Sequence, residues 1–173
     1  MKYLNGFFGL LMAAGLWAGC DRTQDAGLPT PAAPTVAQHA QPRLKTMKIW
    51  LGAEELTTEL ALQQTEWMTG MMFRTNMAEN EAMLFVFPIP HRASFWMKNT
   101  LLPLSAAYID PSGTILEIHD LEPLNTNSVT ASTDHVQYVL ETTQGWFGRH
   151  NISTGAVLRT EHGTFAETFQ PRQ

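Results

Sequence analysis

The sequence predicts a mainly β (α+β) fold, a single compact β-sandwich or squashed-barrel domain with two short helices. Three observations carry this. Apolar residues alternate with period two over 45–51 and 56–62, the pattern of a half-buried strand. A short continuous apolar run, Met83 to Phe87, is closed by Pro88, as in a strand buried on both faces. The string Asp110-Pro111-Ser112-Gly113 separates two further strand-like runs and reads as a turn, since proline presets φ and glycine accepts a positive one.

Taken in order, Met47, Ile49 and Leu51 share one face of the first strand, and Leu56, Thr58, Leu60 and Leu62 share one face of the second. Between Gln64 and Met72 the period changes. Trp67, Met68, Met71 and Met72 fall at helical spacing, with Thr65 as the expected N-cap and Glu66 in the first turn. Gly70 ends that helix early or permits close packing. Ser94–Thr100 and Leu104–Ile109 are expected strands, and Thr114–Leu121 completes a hairpin after the turn. A polar loop over 125–134 precedes a strand at 136–142, a short helix at 145–150 and a last strand at 156–160.

The folded part occupies only some of the 173 residues. Residues 1–19 read as a signal peptide: Lys2 near the amino terminus, then fourteen uncharged residues from Gly6 to Gly19, too few for a membrane-spanning helix. Ala18-Gly19-Cys20 places small residues before the only cysteine. This resembles the lipobox of bacterial lipoproteins, in which the thiol is lipidated and the cysteine becomes the first mature residue. Trp17 stands three before the cysteine, where an aliphatic residue is usual. The resemblance implies a protein anchored to the bacterial membrane through lipid on Cys20 and facing the periplasm, at either the inner or the outer membrane. Several acyl chains on one cysteine suffice for stable anchoring. Residues 20–43 are then the lipidated cysteine and a disordered linker. From Asp21 to Pro42 there are four prolines and five alanines, and only Leu28 and Val36 are large aliphatics, so burial cannot offset ordering. The domain is placed at 44–170.

Composition excludes some classes. With 11 Lys and Arg against 16 Asp and Glu, the net charge is −5, which offers no counter-charge to phosphates, and no nucleic acid is expected as a partner. A single cysteine removes cysteine-based zinc and iron–sulfur sites. No G-x-S-x-G, G-x-x-x-x-G-K-[ST] or G-x-G-x-x-G string occurs. No cofactor is expected.

A series of strings in the folded part is distinctive: Gly70-Met71-Met72-Phe73-Arg74, Met83-Leu84-Phe85-Val86-Phe87 and Phe95-Trp96-Met97-Lys98-Asn99-Thr100, followed by Pro103-Leu104, Glu117-Ile118, Tyr138-Val139-Leu140-Glu141 and Gly145-Trp146. In this order they resemble the bacterial and archaeal family "domain of unknown function 192", over about residues 47–161. The resemblance implies a small, mainly β domain, often secreted or lipid-anchored, and no established activity. Ser105 stands where the family usually has aspartate, so no carboxylate role is carried to that position.

The candidate ligand-binding residues are Arg74, Trp96, Lys98 and Asn99. On an alternating strand Trp96 and Lys98 share the face opposite Phe95 and Met97. Tryptophan offers a flat stacking surface, and lysine and asparagine supply donors. The alternative is that Lys98 pairs with Glu117, Asn99 closes a bend before Pro103, and Arg74 clamps the carbonyls ending the preceding helix. Three functions follow. The first is an envelope module binding a small polar ligand or an envelope protein. The second is a hydrolase or other enzyme with Glu117 or His119 as general base. The third is a copper carrier using the soft thioethers of Met68, Met71 and Met72. His91, His119, Glu117 and Asp120 show no local spacing typical of metal ligands, and no metal is assigned. If Cys20 carries the anchor, Cys20→Ser moves the chain from the detergent phase to the aqueous phase on phase partition and abolishes incorporation of labelled fatty acid. Unchanged partition of that variant overturns the lipoprotein reading.

Overall fold

The computed structural model describes residues 38–169. The expected signal peptide, Cys20 and most of the linker lie outside the described residues. Ten strands and three short helices follow in the order β1 (Thr46–Leu51), β2 (Glu54–Ala61), α1 (Gln64–Thr69), β3 (Glu81–His91), β4 (Ser94–Phe95), β5 (Leu104–Ile109), β6 (Ile115–Leu121), β7 (Val129–Thr130), β8 (Val136–Thr143), α2 (Trp146–Arg149), β9 (Leu158–Thr160), β10 (Gly163–Thr164) and α3 (Phe165–Phe169). Eight strands form one mixed sheet in the order β10-β9-β1-β2-β3-β8-β5-β6, and β4 and β7 pair separately. Only β2 and β3 run parallel, and α1 lies in the connection between them.

The mainly β class is as the alternation requires, and the sheet is curled without closing into a barrel. The starts of the edge strand β6 and of β9, next to the opposite edge, approach at an isolated bridge between Thr114 and Val157, supported by Ile115 N–H to Ala156 O at 2.9 Å and Leu158 N–H to Gly113 O at 2.9 Å. There are three described helices, not two. The third, Phe165–Phe169, is a single amphipathic turn whose apolar residues only make sense as a plug: Phe165 is fully buried against Tyr138 at 4.9 Å between ring centres.

Alternating side chains split the core in two. Ala82 and Leu84 of β3, Ala107 and Ile109 of β5, and Tyr138 and Leu140 of β8 point to one face, where Trp146, Phe147 and Phe165 of α2 and α3 complete the packing. Met83 and Phe85, Ala106 and Tyr108, and Val139 point to the other, against Met71, Ala93, Met97 and Ala131. Every residue of β5 is buried, as are the first seven of β8. The apolar run at 83–87 therefore sits in a strand covered on both faces, as its composition predicts.

Two sequence expectations change locally. α1 is capped from Gln63 and not Thr65, because the Glu66 carboxylate turns back to accept the N–H groups of Leu62 at 2.6 Å and Gln63 at 2.9 Å, the reciprocal half of a capping box. The helix ends at Thr69, and Gly70 turns the chain with φ +47, so Met71 and Met72 lie beyond it. The second change concerns 94–100. Only Ser94 and Phe95 pair as strand, with Thr130 and Val129, and Asn99 adopts a left-handed φ of +58. A left-handed residue ends an extended run, and asparagine tolerates it better than most. Strand alternation therefore does not order the side chains of 96–100: Met97 and Thr100 are both buried, whereas Trp96 is exposed.

The Asp110–Gly113 turn forms as read. One Asp110 carboxylate oxygen accepts the N–H groups of Ser112 at 2.8 Å and Thr114 at 2.9 Å. Gly113 has φ +91, and a Cβ there would stand 3.1 Å from Phe165 Cγ and 3.3 Å from the Leu158 carbonyl. Gly113→Ala is thus expected to destabilise by about 1–3 kcal/mol in thermal unfolding. Gly155→Ala, with φ +87 and open space around its Cβ, is expected to cost less.

Candidate functional site

The cover on the second face of the sheet is irregular chain, and it is held by its backbone. Phe73 donates its N–H to the Asn99 carbonyl at 2.8 Å, Met97 to Asn125 at 2.8 Å, and Leu124 to Thr100 at 3.0 Å. These bonds satisfy groups that burial would otherwise penalise. Between this segment and the end of α1 lies a cleft of about 260 Å³. The end of α1 and its turn supply Trp67, Met68, Gly70, Met71 and Met72. β3 supplies Phe85, Phe87 and His91, and the irregular segment supplies Phe95, Trp96 and Thr100. Among the lining residues β8 contributes one, Glu141.

The aromatic walls brace one another. Phe85 meets Phe95 edge-on at 4.9 Å, Trp67 tilts against Phe87 at 5.2 Å, and His91 stands edge-on to Phe87 at 4.5 Å. Trp67 is fixed by its indole N–H, which donates to the Ala61 carbonyl at 2.8 Å. Trp96 remains 44% exposed at the rim.

Glu141 is the unusual member. Its strand neighbours are Met83 on β3 and Ala106 on β5, and it is only 4% exposed. Its Oε2 has no hydrogen-bond partner among the described residues. Burial pushes its carboxyl up to about 8, so the neutral acid prevails at neutral pH. Sequence reasoning passes over it, because in Tyr138-Val139-Leu140-Glu141 it reads as one polar residue at a strand end. The available signal is an acid at a position continuing a run buried on both faces.

The four predicted residues do not converge. Trp96 alone lines the cleft. Lys98 lays its ammonium 5.2 Å over the Trp96 ring, a cation–π contact, and does not pair with Glu117. Asn99 reaches Met72 Sδ with its side-chain amide at 4.0 Å and so supports a cleft wall from behind. Arg74 neither lines the cleft nor caps α1. Its guanidinium donates to Glu59 Oε2 at 3.0 Å and to the Pro42 carbonyl at 3.3 Å, and both side chains of the pair are below one-tenth exposed. The carbonyls of Glu66 in α1 and of Gly70 just after it are met instead by the Gln41 amide, at 3.3 and 3.0 Å. Arg43 also reaches Glu59, at 2.7 Å. Among the described residues Gln41, Pro42 and Arg43 thus also contact the domain.

The residues of the enzyme alternative lie elsewhere. Glu117 lines an open depression with Ser132 and His135. Its Oε1 accepts the Ser132 N–H at 2.8 Å and hydroxyl at 2.6 Å, and its Oε2 meets His119 Nε2 at 2.9 Å. Burial pushes this carboxyl up, but the hydrogen bonds from Ser132 and His119 outweigh it and hold it below the usual range. A general base working near neutrality needs the opposite shift. Here the carboxylate serves to tie β6 to the loop after β7. Asp120 accepts a short hydrogen bond from Ser105 Oγ, which itself receives the Gly145 N–H at 2.8 Å; the carboxylate missing at Ser105 is met from the neighbouring strand. Met68, Met71 and Met72, the thioethers of the copper alternative, all border the cleft. Among the described residues no group of three His, Cys, Asp or Glu side chains is placed to hold a metal ion.

The linked pH dependence has a definite sign. An unfolded glutamate titrates near 4.5 and folded Glu141 near about 8. Between those values the folded state keeps a proton that the unfolded state has lost, so stability falls as pH rises through the window. Glu141→Gln is expected to remove that fall, with a gain over the parent of up to roughly 5 kcal/mol at about pH 9 and little difference near pH 4. Urea midpoints of both proteins across the range check this.

Comparison with known proteins gives a family and several structural relatives, of which two are described. A Sinorhizobium meliloti protein, described as a candidate transcription regulator, is 33% identical with a TM-score of 0.66, over 70% of this chain and 98% of its own. A Novosphingobium aromaticivorans protein of unknown function is 27% identical with a TM-score of 0.65, over 77% of this chain and 99% of its own. No curated protein matches. The profile of DUF192, described as an uncharacterized ACR, matches residues 47–160, from β1 through β9, and with these strands and strings the chain belongs to the DUF192 family.

Proposed function

We propose that this protein is a lipid-anchored binding module of the cell envelope whose cleft takes a small molecule. The observation that carries the reading is the buried Glu141 Oε2 atom, without a hydrogen-bond partner among the described residues, on the lining of a concavity walled by aromatic rings and thioethers. Ligand sites are typically concave and mainly apolar, with a few polar groups that fix orientation. A buried polar atom without a partner is destabilising on its own, and a ligand that meets it recovers that loss. The strings that carry the family resemblance supply the walls: Gly70 to Met72, Phe85 and Phe87, Phe95 and Trp96, and Glu141. Within this reading Asn99 holds Met72 in place, Lys98 orients the Trp96 ring, and Arg74 secures the fold beneath. The envelope placement rests on residues 1–20, and the acidic net charge of −5 supports no nucleic-acid role.

The test uses the full chain with isotope-labelled methionine methyl groups and a library of fragment-sized molecules. Binding in the cleft shifts the Met71 and Met72 methyl signals and leaves that of Met47 unmoved. Trp96→Ala, at an exposed position, is expected to weaken such binding roughly three- to tenfold without changing the unfolding midpoint. A library that never moves Met71 or Met72 overturns the reading.

A further inference from the structure

We propose that the cleft recognises primary organic ammonium ions, with Glu141 as the counter-ion at its floor and the rings of Phe85, Phe87, Phe95 and Trp96 as the faces around the charged head. This rests on the cleft being a ligand site and adds the chemical class of the occupant.

The lining itself narrows the choice. No lysine or arginine lines the cleft; of the cations near its wall in sequence, Arg74 is committed to Glu59 and Pro42, Arg92 donates to the Ser132 carbonyl at 3.3 Å, and Lys98 lies over Trp96 at the rim. An anion inside the cleft would therefore meet a buried acid and the negative faces of aromatic rings, and the Lys98 ammonium, stacked on Trp96 at the rim, is not among the lining residues. A primary ammonium brings three N–H donors, and one of them gives the Glu141 Oε2 atom its missing partner. Aromatic faces attract cations through their quadrupole, more strongly where water is excluded. The protein already displays this chemistry at the rim, where the Lys98 ammonium sits 5.2 Å over Trp96. The volume of about 260 Å³ falls just below the usual range for drug-sized ligands, so a small amine fits the space.

The surroundings of Glu141 leave it free for this role. β3 presents Met83 and Phe85 to it, β5 presents Ala106 and Tyr108, and the chain after α1 presents Met71 and Met72. Tyr108 is occupied, donating its hydroxyl hydrogen to the Val129 carbonyl at 2.6 Å. His91, the other titratable side chain on the lining, stands edge-on to Phe87. Because the free carboxyl holds its proton up to about 8, an arriving ammonium ionises it and the proton passes to the buffer. Affinity for an amine then weakens as pH falls below that value, whereas affinity for an uncharged analogue of the same shape does not.

Benzylamine and benzyl alcohol form a matched pair for the test, titrated into the full chain with labelled methionine methyls. At about pH 8 benzylamine is expected to bind at least roughly tenfold more tightly than the alcohol, with both shifting Met71 and Met72. In Glu141→Gln that preference falls to near parity. Calorimetry near pH 7 in buffers of different ionisation enthalpy reads the released proton in the parent and none in the variant. Equal affinities in the parent, or a preference that survives Glu141→Gln, overturn the ammonium assignment while shifts at Met71 and Met72 preserve the cleft as a ligand site. If neither compound moves those signals the ammonium assignment also falls, and the wider fragment library decides separately whether the cleft binds anything.

Discussion

Burial of the three central strands on both faces is the constraint from which the rest of the architecture follows. β3, β8 and β5 carry apolar side chains in both directions, so each face of the sheet needs a cover. On one face the sheet supplies much of its own by curling until Thr114 meets Val157, and α2 and α3 plug the remainder with Trp146, Phe147 and Phe165. On the other face the cover is a six-residue helix, the turn after it and a stretch of irregular chain from β4 to Pro103. Irregular chain can lie over a core only when its backbone groups are satisfied. The bonds from Phe73 to Asn99, Met97 to Asn125 and Leu124 to Thr100 do this. Such a cover follows its own turns and not the surface beneath, and the cleft lies where the two part.

The domain buries two glutamates and treats them in opposite ways. Glu59 accepts from Arg74, Arg43 and the Leu44 N–H at 2.7 Å, so its charge is fully met. Charges taken out of water are tolerated when paired and hydrogen-bonded in this manner. Glu141 is enclosed by methionine, phenylalanine and alanine, and holds a proton in place of a partner. The contrast matters because the fold has the means to neutralise a buried acid and uses them at one position only. The cluster around Glu59 also fastens residues 42–44 to the domain.

Much of the fold was legible in the sequence, for reasons that can be named. Alternation exposed β1 and β2, the doubly apolar run exposed β3, and the Asp-Pro-Ser-Gly turn fixed the β5–β6 hairpin through side-chain and glycine chemistry local to four residues. The site was legible in part. Trp96 was found because an aromatic residue beside a lysine stands out, and the two do stack. Lys98 and Asn99 were misplaced because strand periodicity was extended through 96–100, where Asn99 turns left-handed and breaks it; Arg74 was misplaced because its partner Glu59 lies on β2, across the fold. Glu141 was missed because one acid in a strand carries no local mark of its burial.

What the chain determines by itself is therefore what depends on near neighbours: which segments extend or coil, where they turn, the charge balance, and membership of a family through ordered strings. What tertiary structure decided is which of those strings face one another. Gly70 to Met72, Phe95 and Trp96, and Glu141 are far apart in sequence, and only the crossover from β2 through α1 to β3, with β8 inserted between β3 and β5, brings them around one cavity. The carboxyl's environment is likewise non-local. Its loss of water and of partners comes from Met83, Ala106 and Phe85 on other strands, and desolvation by distant segments leaves no trace in the residues adjacent to it along the chain.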